Sequence, residues 1–253
     1  MSILSPLVAF ASQAFPRLSK RVLASSGYTL DLTKMGGEEV FDVWDASTAE
    51  RQDRAWHAIV KEARAGRARE DVDSLHSALD FVTGSSKSLL EVGCGGGYIS
   101  ELINFWYPDL GYHGVDLSEA MIATSQVHYP GRSFSVGSSY DLAFKDSSHD
   151  VVLDGVALIC MTEWPRALAE YARVAKRFVV LSAVTVTDSA PTTTFAKYAY
   201  GQPAIELVFS RSELLAACES LGLKLVRTYG GLDYDLKRYI GIASVSETWV
   251  LEV

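Results

Sequence analysis

Four of the five residues from Gly93 to Gly97 are glycine, and what flanks them restricts the fold more than any other stretch of the chain. Before them, Leu89 to Val92 is a short apolar run bounded by Ser and Gly, which reads as a buried strand of a parallel sheet. After them, Ile99, Leu102, Ile103 and Trp106 recur at helical spacing. The order is therefore strand, glycine loop, helix, the unit of an α/β fold. Glycine allows the positive φ of a tight turn and has no Cβ to hold a ligand away from the backbone. Such a loop opens onto a helix N-terminus, whose free N–H groups suit an anionic group.

The spacing separates classes of nucleotide ligand. A dinucleotide fingerprint, G-x-G-x-x-G counted from Gly93, needs glycine at position 98, where Tyr98 stands; the pattern present is E-x-G-x-G-x-G from Glu91 to Gly97. A second apolar strand, Gly111 to Val115, ends in Asp116, and an acidic residue there accepts hydrogen bonds from both hydroxyls of a ribose. Here the sequence resembles the class I S-adenosylmethionine-dependent methyltransferases: LLEVGCGGGYIS is similar to their first motif and GVDLSEAMI to their second. The resemblance implies a Rossmann-like, seven-stranded, mostly parallel sheet with an antiparallel C-terminal strand pair, preceded by a helical N-terminal extension. It implies S-adenosylmethionine as cofactor, held by Glu91, Gly93, Cys94, Gly95, Gly97, Asp116, Leu117 and Met121. The third motif is matched at Gly137-Ser138-Ser139-Tyr140, with Ser138 where the family commonly has a carboxylate. Ser138, Ser139 and Tyr140 are then the expected adenine contacts, or Ser138 and Ser139 simply form a turn.

Size and composition agree with one α/β domain plus additions: 253 residues, 48% hydrophobic and 21% charged. A net charge of −8 is not the footprint of a nucleic-acid binder, which is basic. Cys94, Cys160 and Cys218 are scattered, without metal-ligand spacing, and fit a reducing, cytoplasmic setting. No apolar run reaches the roughly 20 residues of a membrane span.

The N-terminal extension is assigned to residues 1–70 and the methyltransferase domain to 71–253. Over residues 3–23, Leu4, Leu7, Val8, Ala11, Phe15, Leu18 and Val22 recur at helical spacing, with Arg17, Lys20 and Arg21 following and no acidic residue before Asp31. This segment either rests on an anionic membrane surface or covers the domain. A short helix is expected around residues 38–44. Ser47-Thr48-Ala49-Glu50 matches a capping box for a helix running to about Ala65, with Trp56, Ile59, Val60 and Ala63 inward.

Beyond strand four, Asp150 to Leu153, the chain carries Ile159 and Cys160 where many relatives have a histidine. Asp154 sits at the strand's end, at the sheet edge where open α/β folds bind ligands, and either touches the methionine end of the cofactor, touches the substrate or caps the next turn. Strand five is expected at Arg177 to Val184. The following stretch, about 185–209, is long for a connection and reads as a substrate-covering insertion that holds Asp188, Phe195, Lys197, Tyr198, Tyr200 and Glu206 spaced by Thr, Gly and Pro. Ser210 with Glu213 reads as the capping box of the next helix, and Gly230 to Asp235 as a loop that reaches the site. Asp154, Tyr198 and Tyr200 are the catalytic candidates; Asp188, Glu206 and His113 are weaker ones. The expected reaction is O-methylation of a small-molecule or glycan acceptor, since a loose second resemblance points to methyltransferases of bacterial glycan assembly. The alternative is a methyltransferase-like module that acts through partners without turnover. Nothing in the sequence indicates an oligomeric state.

Overall fold

The computed structural model of the chain describes residues 27–32, 44–84, 86–199 and 201–253. The amphipathic segment at 3–23, nearly all of the helix expected at 38–44, and Tyr200 lie outside the described residues.

The described strands are β1 (Tyr28–Thr29), β2 (Ser88–Val92), β3 (Gly111–Asp116), β4 (Ser133–Val136), β5 (His149–Gly155), β6 (Ala175–Thr187), β7 (Thr193–Ala199), β8 (Gln202–Ser210), β9 (Lys224–Gly230) and β10 (Val245–Glu252). The helices are α1 (Ala46–Arg64), α2 (Glu70–Thr83), α3 (Tyr98–Trp106), α4 (Glu119–His128), α5 (Trp164–Val174), α6 (Arg211–Ser220) and a single turn, α7 (Lys237–Ile240). Seven strands form the main sheet in the order β4-β3-β2-β5-β6-β10-β9. The pairs from β4 to β6 are parallel, and β10 runs antiparallel to both of its neighbours.

Strand β2 shows why the sheet is sandwiched. Leu90 and Val92 enter the core beneath α5 and α6, with Leu168, Tyr171 and Leu214. Leu89 enters the core beneath α2 and α3, with Leu75, Leu79 and Ile103. Period-two alternation with both faces apolar is what a central parallel strand requires.

The stretch expected as an insertion is more regular than its composition suggests. Strand β6 pairs with β5 only as far as Ser182 but continues to Thr187, past the expected end at Val184. Its last residues, Val186 and Thr187, pair with Phe209 and Ser210 of β8. From there β8, β7 and β1 form a small antiparallel layer, with Tyr28 opposite Lys197. Its own core is Phe195, Val208 and Leu236. The Thr/Tyr/Phe content that reads as loop polarity is β-propensity on a half-buried sheet.

Two caps differ from expectation. The N-cap of α1 is Asp45, not Ser47: its carboxylate accepts from Thr48 N at 2.8 Å, and Ser47 Oγ donates to the same carboxylate. Ser210 precedes α6 without a side-chain cap, because Glu213 turns away to accept from Thr192 N at 3.1 Å. At α6, Ser210 Oγ lies 3.1 Å from Ser212 Oγ, and Ser210 N donates to Thr192 Oγ1 at 3.0 Å in place of the Glu213 carboxylate.

Candidate active site

One cavity of about 680 Å³ opens at the carboxyl ends of β2, β3 and β5, beneath the β1-β7-β8 layer. Open parallel sheets bind their ligands at this edge.

The glycine loop shapes one end of it. Gly93, Gly95 and Gly97 have φ of +72°, +52° and +84°. A Cβ on Gly93 would collide with Ala157, and one on Gly95 would lie 2.6 Å from Gln52 Oε1. The loop amides are spent inside the fold. Gly93 N and Cys94 N donate to Val115 O, Gly95 N to Asp116 Oδ2 at 2.9 Å, Gly96 N to Gln52 Oε1 at 3.2 Å and Gly97 N to Cys94 O. The five amides of the loop itself are therefore engaged within the fold and not left for an anion. The loop supplies shape, and the charge at this end is the carboxylate of Asp116. Among the described residues the loop itself offers a pyrophosphate neither a free amide nor a cation, whereas a nucleoside carrying a sulfonium meets negative charge. On this observation the residues fit S-adenosylmethionine better than a dinucleotide.

Asp116 accepts from Gly95 N on one oxygen and from Ser118 N at 2.9 Å on the other. Burial raises its pKa and the two amide bonds oppose that shift. Each carboxylate oxygen keeps a lone pair for a ribose hydroxyl. Leu117, Ser138, Ser139 and Tyr140 line the cavity beside it. Ser138 Oγ also accepts from Tyr140 N at 3.1 Å, so it holds the turn that it lines.

Several residues expected at the cofactor lie behind the cavity wall instead. Glu91 is buried and accepts from Tyr112 OH at 2.6 Å; burial pushes its pKa up to about 8, so it is uncharged at neutral pH. Cys94 and Met121 are buried in the core. Gly97 packs its backbone against Phe134 and Ser125. These four support the loop from beneath.

Asp154, expected as a catalytic group, is corrected to a structural one. It is fully buried: Oδ1 accepts from Ala157 N and Leu158 N at 2.9 and 3.0 Å, and Oδ2 from Tyr171 OH at 2.8 Å. Burial lifts its pKa to about 6. The turn that it braces contains Val156 at φ +74°, a conformation that a β-branched residue adopts only when its surroundings enforce it. Val156 and Ala183, the latter at φ +50°, both line the cavity, so backbone strain is concentrated at its wall.

The weaker candidates divide in the same way. His113 bonds Ser135 and Ser133 and edges onto Phe144, away from the cavity. Asp188 pairs with Arg211 at 2.9 Å. Tyr198 and Glu206 do line the cavity, at the end under the small sheet. There Lys197 Nζ lies 2.6 Å from Glu206 Oε1 and donates to Tyr234 OH at 3.0 Å, and Tyr234 OH donates to Glu206 Oε2 at 3.1 Å. Tyr234 and Leu232 come from the loop expected to reach the site.

The residues before 71 contribute Gln52, Trp56 and Arg69 to the cavity, of which the sequence pattern marked only Trp56, as an inward-facing residue. Trp56 stacks on Tyr98 with centroids 4.0 Å apart, and Arg69, paired with Asp71, lies over Trp56. An amphipathic pattern marks a buried face but does not say that the face meets a glycine loop.

Residues 90–181 match the family described as a methyltransferase domain. A phthiotriol/phenolphthiotriol dimycocerosates methyltransferase of Mycobacterium leprae is 34% identical over 150 residues, covering 58% of this chain and 54% of that protein. A protein of the same description from Mycobacterium ulcerans is 38% identical over 109 residues, covering 42% of this chain and 40% of that protein. The chain thus spans about half the length of these relatives or less. Among solved structures, magnesium protoporphyrin IX methyltransferase from Synechocystis with bound S-adenosylhomocysteine superimposes with a TM-score of 0.56 at 16% identity, covering 80% of this chain and 93% of that one. With that match seated on a sheet of order β4-β3-β2-β5-β6-β10-β9, residues 90–181 carry a methyltransferase domain, and the fold around it is the one shared with the superimposed structure.

Proposed function

We propose that this protein transfers the methyl group of S-adenosylmethionine to a hydroxyl oxygen of a lipid-borne acceptor. The observation that carries the reading is a single cavity with Asp116 and the glycine loop at one end and Glu206, Lys197 and Tyr234 at the other. The names of the mycobacterial relatives support a hydroxylated lipid as acceptor. A sugar hydroxyl on a lipid carrier is the same chemistry and is the second acceptor to test.

When bound, S-adenosylmethionine supplies an activated methyl group on a cationic sulfur. The protein's part is to hold the two reactants in line and keep water out. Asp116 positions the ribose, and Leu117, Ser139 and Tyr140 wall the base. The β1-β7-β8 layer roofs the acceptor end, where Tyr28 stacks on Tyr239 with centroids 4.3 Å apart. Cys160 also lines this end, and burial raises its pKa further above the ordinary thiol range, which keeps the sulfur protonated and removes it as a competing nucleophile. The basic, amphipathic segment at 3–23 is read as a contact with the membrane surface that holds the acceptor, on the cytoplasmic side.

Calorimetric titration with S-adenosylhomocysteine, with NADH as control, tests the cofactor. Binding of the first alone is expected, and binding of NADH alone would overturn the reading. Methylation of a lipid-diol panel with labelled S-adenosylmethionine then separates an enzyme from a module that binds without turnover.

A further inference from the structure

The acceptor end of the cavity holds an arrangement that the cofactor chemistry does not use. Lys197, Glu206 and Tyr234 come from β7, β8 and the loop after β9, and they meet in a closed triangle of contacts between 2.6 and 3.1 Å. Glu206 is 7% exposed, and Lys197 is held in its charged form by Glu206 despite its burial. Burying such a pair costs solvation, and replacing it with apolar residues is often neutral or stabilising. Tyr234 packs its ring on the small core of Phe195, Val208 and Leu236, but all three residues also line the cavity wall, which gives the polar groups a use other than packing.

Two features define what the triangle would take. The first is charge. The charged side chains among the described cavity residues are Arg69, Asp71, Asp116, Lys197 and Glu206. Arg69 is paired with Asp71 and Lys197 with Glu206, which leaves Asp116 at the cofactor end. Among the described residues the acceptor end therefore has no surplus charge. A carboxylate or phosphate would face Glu206 without a spare cation, and an ammonium would face Lys197 without a spare anion. The second is hydrogen-bonding capacity. An ammonium has three N–H donors, and Lys197 uses two, on Glu206 Oε1 and Tyr234 OH. Each oxygen of Glu206 accepts once and has a further lone pair. One donor, on Lys197, and two acceptor sites, one on each Glu206 oxygen, are left side by side, which matches two neighbouring hydroxyls that accept once and donate to the carboxylate.

We propose that Lys197, Glu206 and Tyr234 form the acceptor subsite, built for an uncharged diol-like group, with Glu206 receiving the proton of the hydroxyl that is methylated. This rests on the methyltransferase reading above. In the step, a lone pair on the acceptor oxygen forms the O–CH₃ bond while the C–S bond breaks with its electron pair left on sulfur. The O–H proton passes to the Glu206 carboxylate. The sulfonium becomes a neutral thioether and the carboxylate a neutral acid, so the charge balances, and Lys197 stays cationic throughout. A carboxylate is base enough, because the O–H becomes strongly acidic as the new bond forms.

The test is calorimetric titration of the full chain, with and without S-adenosylhomocysteine, using 1,2-octanediol, octanoate and octylamine as probes. The wild type should bind the diol at least about tenfold more tightly than either charged probe. Glu206→Gln leaves Lys197 unmatched and should reverse the order, with octanoate now above the diol. In labelled-methyl assays with the diol, Glu206→Gln should lower kcat about 100-fold with the KM for S-adenosylmethionine unchanged. The double variant Lys197→Met/Glu206→Gln restores neutrality; it should bind the diol about tenfold more weakly without gaining octanoate. It decides the question if the single variant does not fold. A wild type that prefers octanoate or ignores the diol would overturn the subsite, as would a double variant that keeps the diol preference. Absence of S-adenosylhomocysteine binding alongside normal diol selectivity would instead strike the methyltransferase reading.

Discussion

At the scale of single residues, two aspartates at the carboxyl ends of β3 and β5, on either side of β2, have opposite duties. Asp116 keeps lone pairs directed at the cavity, and Asp154 has spent its own on Ala157, Leu158 and Tyr171. Asp116→Ala removes a charge-assisted ribose contact of about 1.5–3 kcal/mol, so S-adenosylhomocysteine affinity should fall roughly 10- to 100-fold by calorimetry with little change in melting temperature. Asp154→Ala strands two buried amides and a phenol around a strained turn. It should cost on the order of 3 kcal/mol in urea unfolding, while cofactor affinity per folded molecule changes less than in Asp116→Ala. Both aspartates end apolar strands at a sheet edge and look alike in the sequence. What separates them is Tyr171, seventeen residues beyond Asp154 and reached only through the packing of α5 on the sheet.

Among the elements, α1 matters most for the site. It packs on α3 and α4, and Gln52 reaches the glycine loop from it. Its amphipathic face, with Val60 and Ala63 buried and Trp56 and Ile59 packed behind them, follows the expected periodicity. Trp56→Ala removes the stack on Tyr98 and the partner of Arg69, and should destabilise the fold by about 1–3 kcal/mol in urea unfolding. Because Trp56 also lines the cavity, the variant should bind S-adenosylhomocysteine more weakly as well. The small sheet was harder to read. Its strands pair with an extension of β6 and with β1, and Tyr28 and Lys197 lie opposite each other across a separation of well over a hundred residues. No local pattern encodes that pairing.

For the molecule as a whole, buried acids make stability depend on pH in an unusual direction. Glu91 rises from 4.5 in the unfolded chain to about 8, and Asp154 from 3.8 to about 6. Between each pair of values the folded state holds more protons than the unfolded one, so stability falls as pH rises: from about 4 to 6 for Asp154 and from about 4.5 to 8 for Glu91. Hydrogen-bonded carboxylates with lowered values, such as Asp150 and Glu170, act in the opposite sense at lower pH. Glu91→Gln keeps a neutral, hydrogen-bonding side chain under the loop. It should match the wild type at pH 5 and exceed it by roughly 2–4 kcal/mol at pH 8.5 in urea unfolding. Equal pH profiles for the two proteins would contradict a protonated Glu91. Removing residues 1–23 should reduce sedimentation with anionic liposomes if that segment meets lipid; equal pelleting would dismiss the contact.

The sequence alone determined the nucleotide-binding half. Strand, glycine loop, helix and a second strand ending in Asp116 are local patterns, set by hydrophobic period and by the φ that only glycine tolerates. Tyr98 in place of a glycine argued against a dinucleotide, and the resemblance of LLEVGCGGGYIS and GVDLSEAMI to the methyltransferase motifs pointed to S-adenosylmethionine. Which loop amides are free, which aspartate faces solvent and which charges neutralise one another were decided by tertiary structure. Gln52 reaches Gly96 across 44 residues and Tyr234 reaches Lys197 across 37. Such contacts depend on where the sheet places distant segments, and desolvation then settles which of those groups are charged.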